Sequence, residues 1–540
     1  MRTIGASFSG GGFRAAAFTF GCLDMLHKAR SGDRSLLDNI AFSSSTSGGS
    51  IAMAYHALRS YQGAAFPTIL QEVHGLMKGD ALLAEAMRIL EEKKEWLAHP
   101  AKNRNLINAF AIAYDRLFYK GAQFGFLADK AHNPPIERYC FNATDLNHGL
   151  SFRFDHDGNP ATISDVGNGR QRFAPGTAPV AHALRLADIA ASSSCFPVGF
   201  EPMVFPDDFE STPAIGLGAS LINELDAPLD REDLPFGLVD GGAVDNQGLR
   251  SLQIETSRRV SRQLLPFDLL LICDVSSFYM DRYVVPERKG AWMGGSRLGH
   301  ILLMVALGAL GILLAWVISL CLHAWAIAGA LLLPVVMIGA MVVFLARRLG
   351  KGDEGSWKIM FKRFGLPLLR RMSLRTLRYF IVPRLRTLGL LLNSVFMNEI
   401  RRQQYRSLYE GMVPPLPIIS CMVYELATKN KRTLDRRMAA RRRKTNVAYV
   451  HLWDVAVAPL KPSPAMIKVA DSAACMPTTL WFDTANDTKL DDLITCGRFT
   501  MCFNLLMHLA DRIGAKGTLS ADEQALQNQL LAVWAEHRDH

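Results

Sequence analysis

Residues 3–9 form a short, continuous apolar run that Gly10-Gly11-Gly12 closes. A run of that length with glycines behind it predicts a buried strand ending in a tight turn. From Ala15 to about Ala29 the apolar spacing becomes helical, with Phe18, Phe20, Cys22, Leu23 and Leu26 inward. The same order returns at Ile40-Ala41-Phe42, which leads into Ser43-Ser44-Ser45-Thr46-Ser47-Gly48-Gly49-Ser50 and out through a helix-compatible run, Ile51 to Tyr55. Two strand–turn–helix units in about 60 residues predict an α/β fold. Residues 65–130 have helical spacing and read as a cap over a site. Residues 137–154 read as strand, turn, strand; residues 155–180, rich in Asp, Gly, Asn and Pro, as a surface loop; residues 183–195 as a helix closed by Phe196-Pro197. A strand ends at Asp240 before Gly241-Gly242, and residues 268–276 predict another buried strand. Towards the C-terminus the pattern predicts a helix over 388–410, strands over 416–425 and 447–455, and a closing helix over 486–512.

One stretch obeys neither period. From Leu298 to Ala346 there is no Lys, Arg, Asp or Glu, far more than the roughly 20 apolar residues one helix needs to cross a bilayer. It suits two spans, about 301–322 and 326–346, with His323-Ala324-Trp325 at the turn. This hairpin divides the chain into a first catalytic part (1–285), an inserted membrane region (286–387) and a second catalytic part (388–540). A buried hairpin in a soluble core is the competing reading.

Charge sharpens that division. The 540 residues carry a net +10. Between Arg347 and Lys444 stand 24 Lys/Arg against 6 Asp/Glu, a local +18, so the remainder is net acidic. Basic clusters beside a membrane segment attract anionic lipid headgroups and mark the cytoplasmic side. With Lys289 and Arg297 before the first span, both ends of the hairpin are expected on that side. Residues 357–386 alternate basic and apolar positions, as in a helix lying on a membrane surface or packed on the core. Nucleic acid is the weaker partner for this patch, since no nucleic-acid motif accompanies it. Nine cysteines without metal-ligand spacing read as reduced thiols in the cytosol. No targeting segment is expected before the first strand. Neither a metal nor a cofactor is expected.

The candidate chemistry gathers on Ser47. A serine hydroxyl needs a base within hydrogen-bond reach and donors for the oxyanion it creates. Ser47 stands where a strand passes into a helix, the setting of a nucleophile elbow. The elbow frame is Gly-x-Ser-x-Gly; here it is Ser45-Thr46-Ser47-Gly48-Gly49, with Gly49 in place and Ser45 where the leading glycine belongs. Asp240, beside Gly241 and Gly242, can be approached closely and is the candidate base. Gly10, Gly11 and Gly12 offer backbone N–H groups at a helix start, suited to an oxyanion hole or, less well without a following Lys-Ser/Thr, to a nucleotide phosphate. Competing readings are a serine-rich helix cap, Asp274 as the base, and a triad drawing on His56, His451 or His508.

Taken together and in this order, Gly10-Gly11-Gly12-Phe13-Arg14, Thr46-Ser47-Gly48-Gly49, Ala143-Thr144-Asp145 and Asp240-Gly241-Gly242 resemble the patatin-like phospholipase family. Ala191-Ser192 followed by Phe196-Pro197 is a softer match. The resemblance covers roughly 1–280, and more loosely 388–510. It implies a three-layer α/β sandwich around a mainly parallel central sheet, here with the transmembrane hairpin inserted. It implies a Ser47–Asp240 dyad without histidine, an oxyanion hole at Gly10 to Gly12 with Arg14 beside it, and hydrolysis of lipid acyl esters through an acyl-enzyme, without a metal. The expected partners are phospholipid and an anionic bilayer, with an oligomer possible. A lipid transacylase, or an inactive membrane scaffold of the same fold, are the alternatives.

Overall fold

The structure is a computed structural model. It describes residues 3–128, 136–156, 165–168, 170, 179–197, 199–224, 234–276, 298–321, 384, 387–388, 391–411, 416–484 and 488–539. Two compact units are present: residues 1–279 with 397–540, and residues 280–396.

In the first unit a nine-stranded sheet forms the middle layer. Its strands are β1 (Ile4–Phe8), β2 (Ile40–Thr46), β3 (Arg138–Asp145), β4 (Leu150–His156), β5 (Asp165–Gly167), β6 (Met203–Phe205), β7 (Phe236–Asp240), β8 (Leu269–Asp274) and β9 (Ile418–Met422). They run in the order β9-β8-β1-β2-β3-β4-β5, with β7 paired to β3 and to β6. The five strands from β9 to β3 are parallel; from β3 onward the pairing is antiparallel. The central sheet is thus parallel, as the repeated strand–turn–helix pattern predicts.

The principal helices of this unit before its break are α1 (Gly12–Lys28), α2 (Gly48–Tyr61), α3 (Phe66–Met77), α4 (Ala81–Glu91), α5 (Leu106–Tyr114), α6 (Leu186–Ser193) and α7 (Leu249–Ser261). The second unit contains α8 (Leu298–Cys321). The first unit resumes with α9 (Met397–Gly411), α10 (Lys431–Lys444), α11 (Val450–Val457), α12 (Pro464–Cys475), α13 (Lys489–Lys516) and α14 (Ala521–Asp539).

Side chains of a strand alternate between the two faces of a sheet, and β8 shows what each face meets. Leu269, Leu271 and Cys273 join the large core with α1, α2 and α13. Leu270 and Ile272 join a smaller core with Leu249 and Leu252 of α7 and Leu408 of α9. Burial on both faces explains why these strands read as unbroken apolar runs. On the larger face α1 and α13 cross backbone to backbone. A Cβ on Gly21 would strike the Ile494 carbonyl, and one on Gly497 would strike that of Phe18.

Two expectations change here. Residues 447–455 are not a strand: Val447–Tyr449 is one tight turn and α11 follows. The helical turn sends Trp453 inward, its indole N–H donating to Asp511 on α13 at 3.1 Å, and leaves Val447 and Val455 exposed. An apolar run that short has no decisive period of its own. The stretch 155–180, read as a surface loop, supplies β5 (Asp165–Gly167) to the edge of the sheet.

The first expected span falls on α8, 24 residues without a charged side chain, with Met304, Leu307, Leu310 and Leu314 exposed. The second expected span, the His323–Trp325 turn and nearly all of 357–386 lie outside the described residues. Helix α13 is also long and apolar enough, by length and composition, to cross a membrane, but 83% of its apolar window is buried within the protein. It is a core helix.

Candidate active site

Ser47 is the residue between β2 and α2, and its backbone sits at φ 50°, ψ −120°. A non-glycine residue in that region costs on the order of 1–3 kcal/mol and persists only where its surroundings fix it. They do so closely. Strand β2 is paired on both sides, and the Ser47 N–H donates to Ser193 Oγ at 3.0 Å. The two glycines after Ser47 are demanded by contact. A Cβ on Gly48 would collide with the Gly12 carbonyl oxygen, and one on Gly49 would lie 2.5 Å from that of Phe8. The helices α1 and α2 therefore bring their N-termini together at the serine.

The other serines of the stretch form a polar seam beneath it. Ser44 donates to the Gly248 carbonyl at 2.8 Å, and Ser45, fully buried, accepts from Ser50 Oγ at 3.2 Å. Asn142 Nδ2 donates to Ser44 Oγ at 3.0 Å and to the Ser45 carbonyl at 2.8 Å. Ser193 Oγ donates to the Asn142 carbonyl at 2.6 Å. Ser45, the departure from the elbow frame, thus has a partner where a glycine would leave Ser50 with one fewer. Ser193, at the end of α6, and Asn142, on β3, were not foreseen from the sequence: only tertiary packing brings them under Ser47.

Asp240 meets Ser47 because of what happens along one edge of β3. Strand β2 pairs with that edge through Thr46 opposite Asn142. At the next residue β7 takes over, with Asp240 opposite Ala143. The two strands run in opposite directions, so their C-terminal ends converge. Asp240 is 4% exposed and Ser47 7%. The Ser47 side chain is one of the neighbours that act on the Asp240 carboxylate, whose Oδ1 accepts from the Gly242 N–H at 2.7 Å. Burial pushes the Asp240 carboxyl up to about 6, and the nearby Ser47 hydroxyl and the Gly242 N–H hold it from rising further. Its main chain is pinned by the Asp240 N–H donating to the Cys195 carbonyl at 2.8 Å and by Thr144 Oγ1 donating to the Asp240 carbonyl at 3.0 Å. Gly242 is needed for closeness, since a Cβ there would stand 2.9 Å from Asp240 Oδ1, and one on Gly241 would strike the Asn142 carbonyl.

The glycine turn divides unevenly. Gly11 has φ 143° and Gly12 φ 60°, and among the described residues their N–H groups have no hydrogen-bond partner. They stand at the start of α1, where such groups are unsatisfied and carry partial positive charge. The Gly10 N–H, by contrast, donates to the Asn246 carbonyl at 2.9 Å. Gly10 is therefore not a free donor, because the short helical turn after β7 brings the Asn246 carbonyl to it. It supplies room instead: a Cβ on it would be 3.0 Å from Ser47 Cβ and would strike Asn246 Oδ1. Arg14, which the resemblance sets beside the hole, is buried and turns its guanidinium to the carbonyls of Ala473 and Ala474, at 3.3 Å each.

The competing residues are engaged elsewhere. Asp274 is fully buried and ion-paired to Arg401, 2.9 Å to Nη2, and accepts from Tyr405 Oη at 3.0 Å. His56 is buried against Phe66, and burial lowers its pKa to about 4. His451 is exposed on α11, and burial lowers His508 on α13 to about 4. No hydrogen bond joins any of the three to Ser47 among the described residues. Tyr114 of α5 was also missed. It is buried near Asp240 and Ser194, and burial, with the Asp240 charge, drives its phenol well above the ordinary range. No group of His, Cys, Asp and Glu among the described residues is placed to hold a metal ion.

The structure thus brings a serine at a strained strand–helix turn and a buried carboxylate together at the C-terminal edge of an α/β sheet. Residues 6–252 match the family model for patatin-like phospholipase, and the chain carries a patatin-like phospholipase domain over that range. The match ends inside α7, so β8, β9 and helices α9 to α14 lie beyond it. Among solved structures the chain is similar to human GIVD cytosolic phospholipase A2, at 15% identity over 51% of this chain and 45% of that one, with a TM-score of 0.31. It is similar to the same human protein in complex with methyl gamma-linolenyl fluorophosphonate, at 17% identity over 50% and 39%, TM-score 0.30. It is also similar to VipD from Legionella pneumophila, at 10% identity over 99% and 91%, TM-score 0.24. The chain spans less than half the length of the human structures. No curated protein matches it.

Proposed function

We propose that this protein is a lipid acyl-ester hydrolase of the phospholipase A type that uses Ser47 and Asp240 as a dyad. The observation that carries the reading is the strand register that ends β2 and β7 at adjacent residues of β3, setting Ser47 on its strained turn beside a buried carboxylate raised to about 6. An ordinary aspartate near 3.9 is too weak a base for a serine proton; one shifted towards neutrality is better matched to that transfer and remains mostly ionised at pH 7. Ser47 Oγ attacks the ester carbonyl carbon as its proton passes to Asp240. The oxyanion of the tetrahedral intermediate takes the N–H groups of Gly11 and Gly12, and that of Gly48, the residue after the nucleophile. The intermediate collapses to an acyl-Ser47, and the departing alkoxide takes the proton from Asp240. Water then attacks the acyl-enzyme with Asp240 again as base, and fatty acid leaves. A backbone held in strain at Ser47 beside two unpaired N–H groups favours this over an inactive scaffold.

The reaction belongs at a membrane surface. Helix α8, 24 residues long, rises about 36 Å at 1.5 Å per residue, enough for a hydrocarbon core of about 30 Å. The sequence stays free of charge through Ala346, which suits a second crossing and a cytoplasmic catalytic unit. The basic excess after it suits anionic phospholipids.

The test is fatty-acid release from mixed phospholipid micelles by the purified chain and by Ser47→Ala, with labelling by a fluorophosphonate. Loss of both in Ser47→Ala, at unchanged thermal stability, is expected; release at the wild-type rate removes Ser47 from the mechanism. Adding a lipid alcohol separates hydrolysis from acyl transfer, since both acceptors compete for one acyl-enzyme.

A further inference from the structure

Four successive N–H groups in the glycine turn show a pattern. Gly10 is paired, Gly11 and Gly12 are not, and Phe13 is paired again, donating to the Thr479 carbonyl at 2.8 Å. Phe13 is one residue into α1, where an N–H ordinarily lacks a partner. Its partner comes from the far end of the chain, from the segment 476–482 that joins α12 to α13.

That segment, together with the end of α12 before it, meets the turn at three consecutive residues. A Cβ on Gly12 would strike the Thr479 carbonyl oxygen and would lie 3.2 Å from Thr478 Cγ2. Phe13 donates to Thr479, and Arg14 reaches the Ala473 and Ala474 carbonyls at the end of α12. The segment is itself tied down. Thr479 Oγ1 donates to the Trp481 carbonyl at 2.7 Å and accepts from the Trp481 N–H at 3.3 Å. At the far side the Phe482 N–H donates to the Met77 carbonyl at 3.1 Å, and the Gly79 N–H to the Phe482 carbonyl at 2.8 Å. It is thus a strap, anchored by Arg14 at one end and by the end of α3 at the other.

Oxyanion donors act only when held to within a few tenths of an ångström of the developing charge. Gly11 and Gly12 lack the side chains that would fix their own dihedral angles. Strand β1 and Asn246 hold the turn from one side, and the strap holds it from the other. We propose that the strap completes the oxyanion site from outside the family-matched region, with Thr479 as a positioning residue for the Gly11 and Gly12 donors. The proposal rests on the hydrolase reading above.

The experiment compares wild type, Thr479→Val and Thr479→Ser in the full chain. Valine keeps the shape and removes both hydroxyl hydrogen bonds; serine restores them. With a short-chain water-soluble acyl ester, Thr479→Val is expected to lose about 10- to 100-fold in kcat with KM within about twofold, as a misplaced catalytic group does. The rate of fluorophosphonate labelling should fall in step. The pH dependence should keep its inflection, because Asp240 is untouched, and Thr479→Ser should recover most of the rate. Should Thr479→Val not fold, Thr479→Ala carries the same comparison. A wild-type kcat in the folded variant overturns the proposal. So does a loss that serine does not restore, or one that appears in KM instead. A wild-type chain that neither labels nor hydrolyses overturns the hydrolase reading itself, and the proposal with it.

Discussion

Replacing Asp240 with asparagine should abolish activity and, at neutral pH, make the protein more stable. The carboxyl lies at about 6 in the folded protein against an ordinary 3.8. A carboxyl raised on folding lends its full relative stability below the unfolded value, and that stability is lost as pH rises through the folded value. At about 1.4 kcal/mol per pH unit, the charged, desolvated carboxylate costs the native state about 3 kcal/mol at pH 8. The same linkage gives about 1.6 kcal/mol at pH 5, and almost nothing below 3.8. Asparagine keeps the shape, its amide oxygen still accepts from the Gly242 N–H, and its amide nitrogen can donate to Ser47 Oγ.

For a unit of roughly 420 residues, an unfolding entropy of about 2.1 cal/mol/K per residue converts 3 kcal/mol into about 3 °C of Tm. The assay is thermal unfolding of wild type and Asp240→Asn at pH 8 and pH 5, at one scan rate, because large chains often unfold irreversibly. The expected result is a gain of about 3 °C at pH 8 that shrinks to about half at pH 5, with fluorophosphonate labelling lost at both. A Tm that falls, or a gain equal at the two pH values, would refute the assignment of Asp240 as a strained, desolvated carboxylate.

The same carboxyl sets the pH dependence of rate: kcat/KM should rise with pH and level off through an inflection near 6, because only the ionised form can take the Ser47 proton; a limb absent between pH 5 and 7 argues for another base. Asp274→Asn leaves the Arg401 guanidinium buried without its counter-charge and should cost about 3–5 kcal/mol, read as a fall in Tm. Adding Arg401→Met should recover much of that loss with labelling of Ser47 intact. A double variant that folds but does not label would return Asp274 to the mechanism.

The elements legible in the sequence are those whose signal is local. Strand, glycine turn and helix follow one another at residues 3–29 and 40–61 with their periods intact, and both units appear in the structure where the pattern sets them. Asp240 and Asp274 both end buried strands, and only the glycine pair after Asp240 hinted at the difference; the structure adds the reason, an arginine and a tyrosine already spending Asp274. The change of partner along β3 has no local trace, since pairing of residues about 100 positions apart leaves no period to read. Asn142 was missed for that reason, and Ser193 and Tyr114 because the packing of their helices against the site is equally non-local. Gly10 was grouped with its neighbours because three glycines look alike in sequence, whereas the distant Asn246 carbonyl takes the N–H of the first of them. The stretch 447–455 misled because a short apolar run fits either period, and a tryptophan seated against α13 decided it.

The place where the sheet changes character gives the proposed dyad a geometric basis that calls for no histidine. In a wholly parallel sheet every strand reaches the ligand edge side by side, and a carboxylate on a neighbouring strand end stands one strand spacing, about 4.8 Å, to the side of the elbow. An imidazole is one way to span such a gap. Here β3 holds β2 up to Asn142 and β7 from Ala143, so two strands running in opposite directions share one edge and meet end to end. The residue after Thr46 and the last residue of β7 then stand at adjacent positions along β3, so the proposed dyad calls for no intermediary. The same abutment excludes water from the carboxylate, since Asn142, Cys195 and the Gly241-Gly242 turn close around it. One feature of topology, the antiparallel entry of β7 at the end of β2, thus sets both the reach of the proposed base and the burial that raises its pKa. Shifting β7 by a single residue would place Val239 there instead and remove the dyad without disturbing either strand.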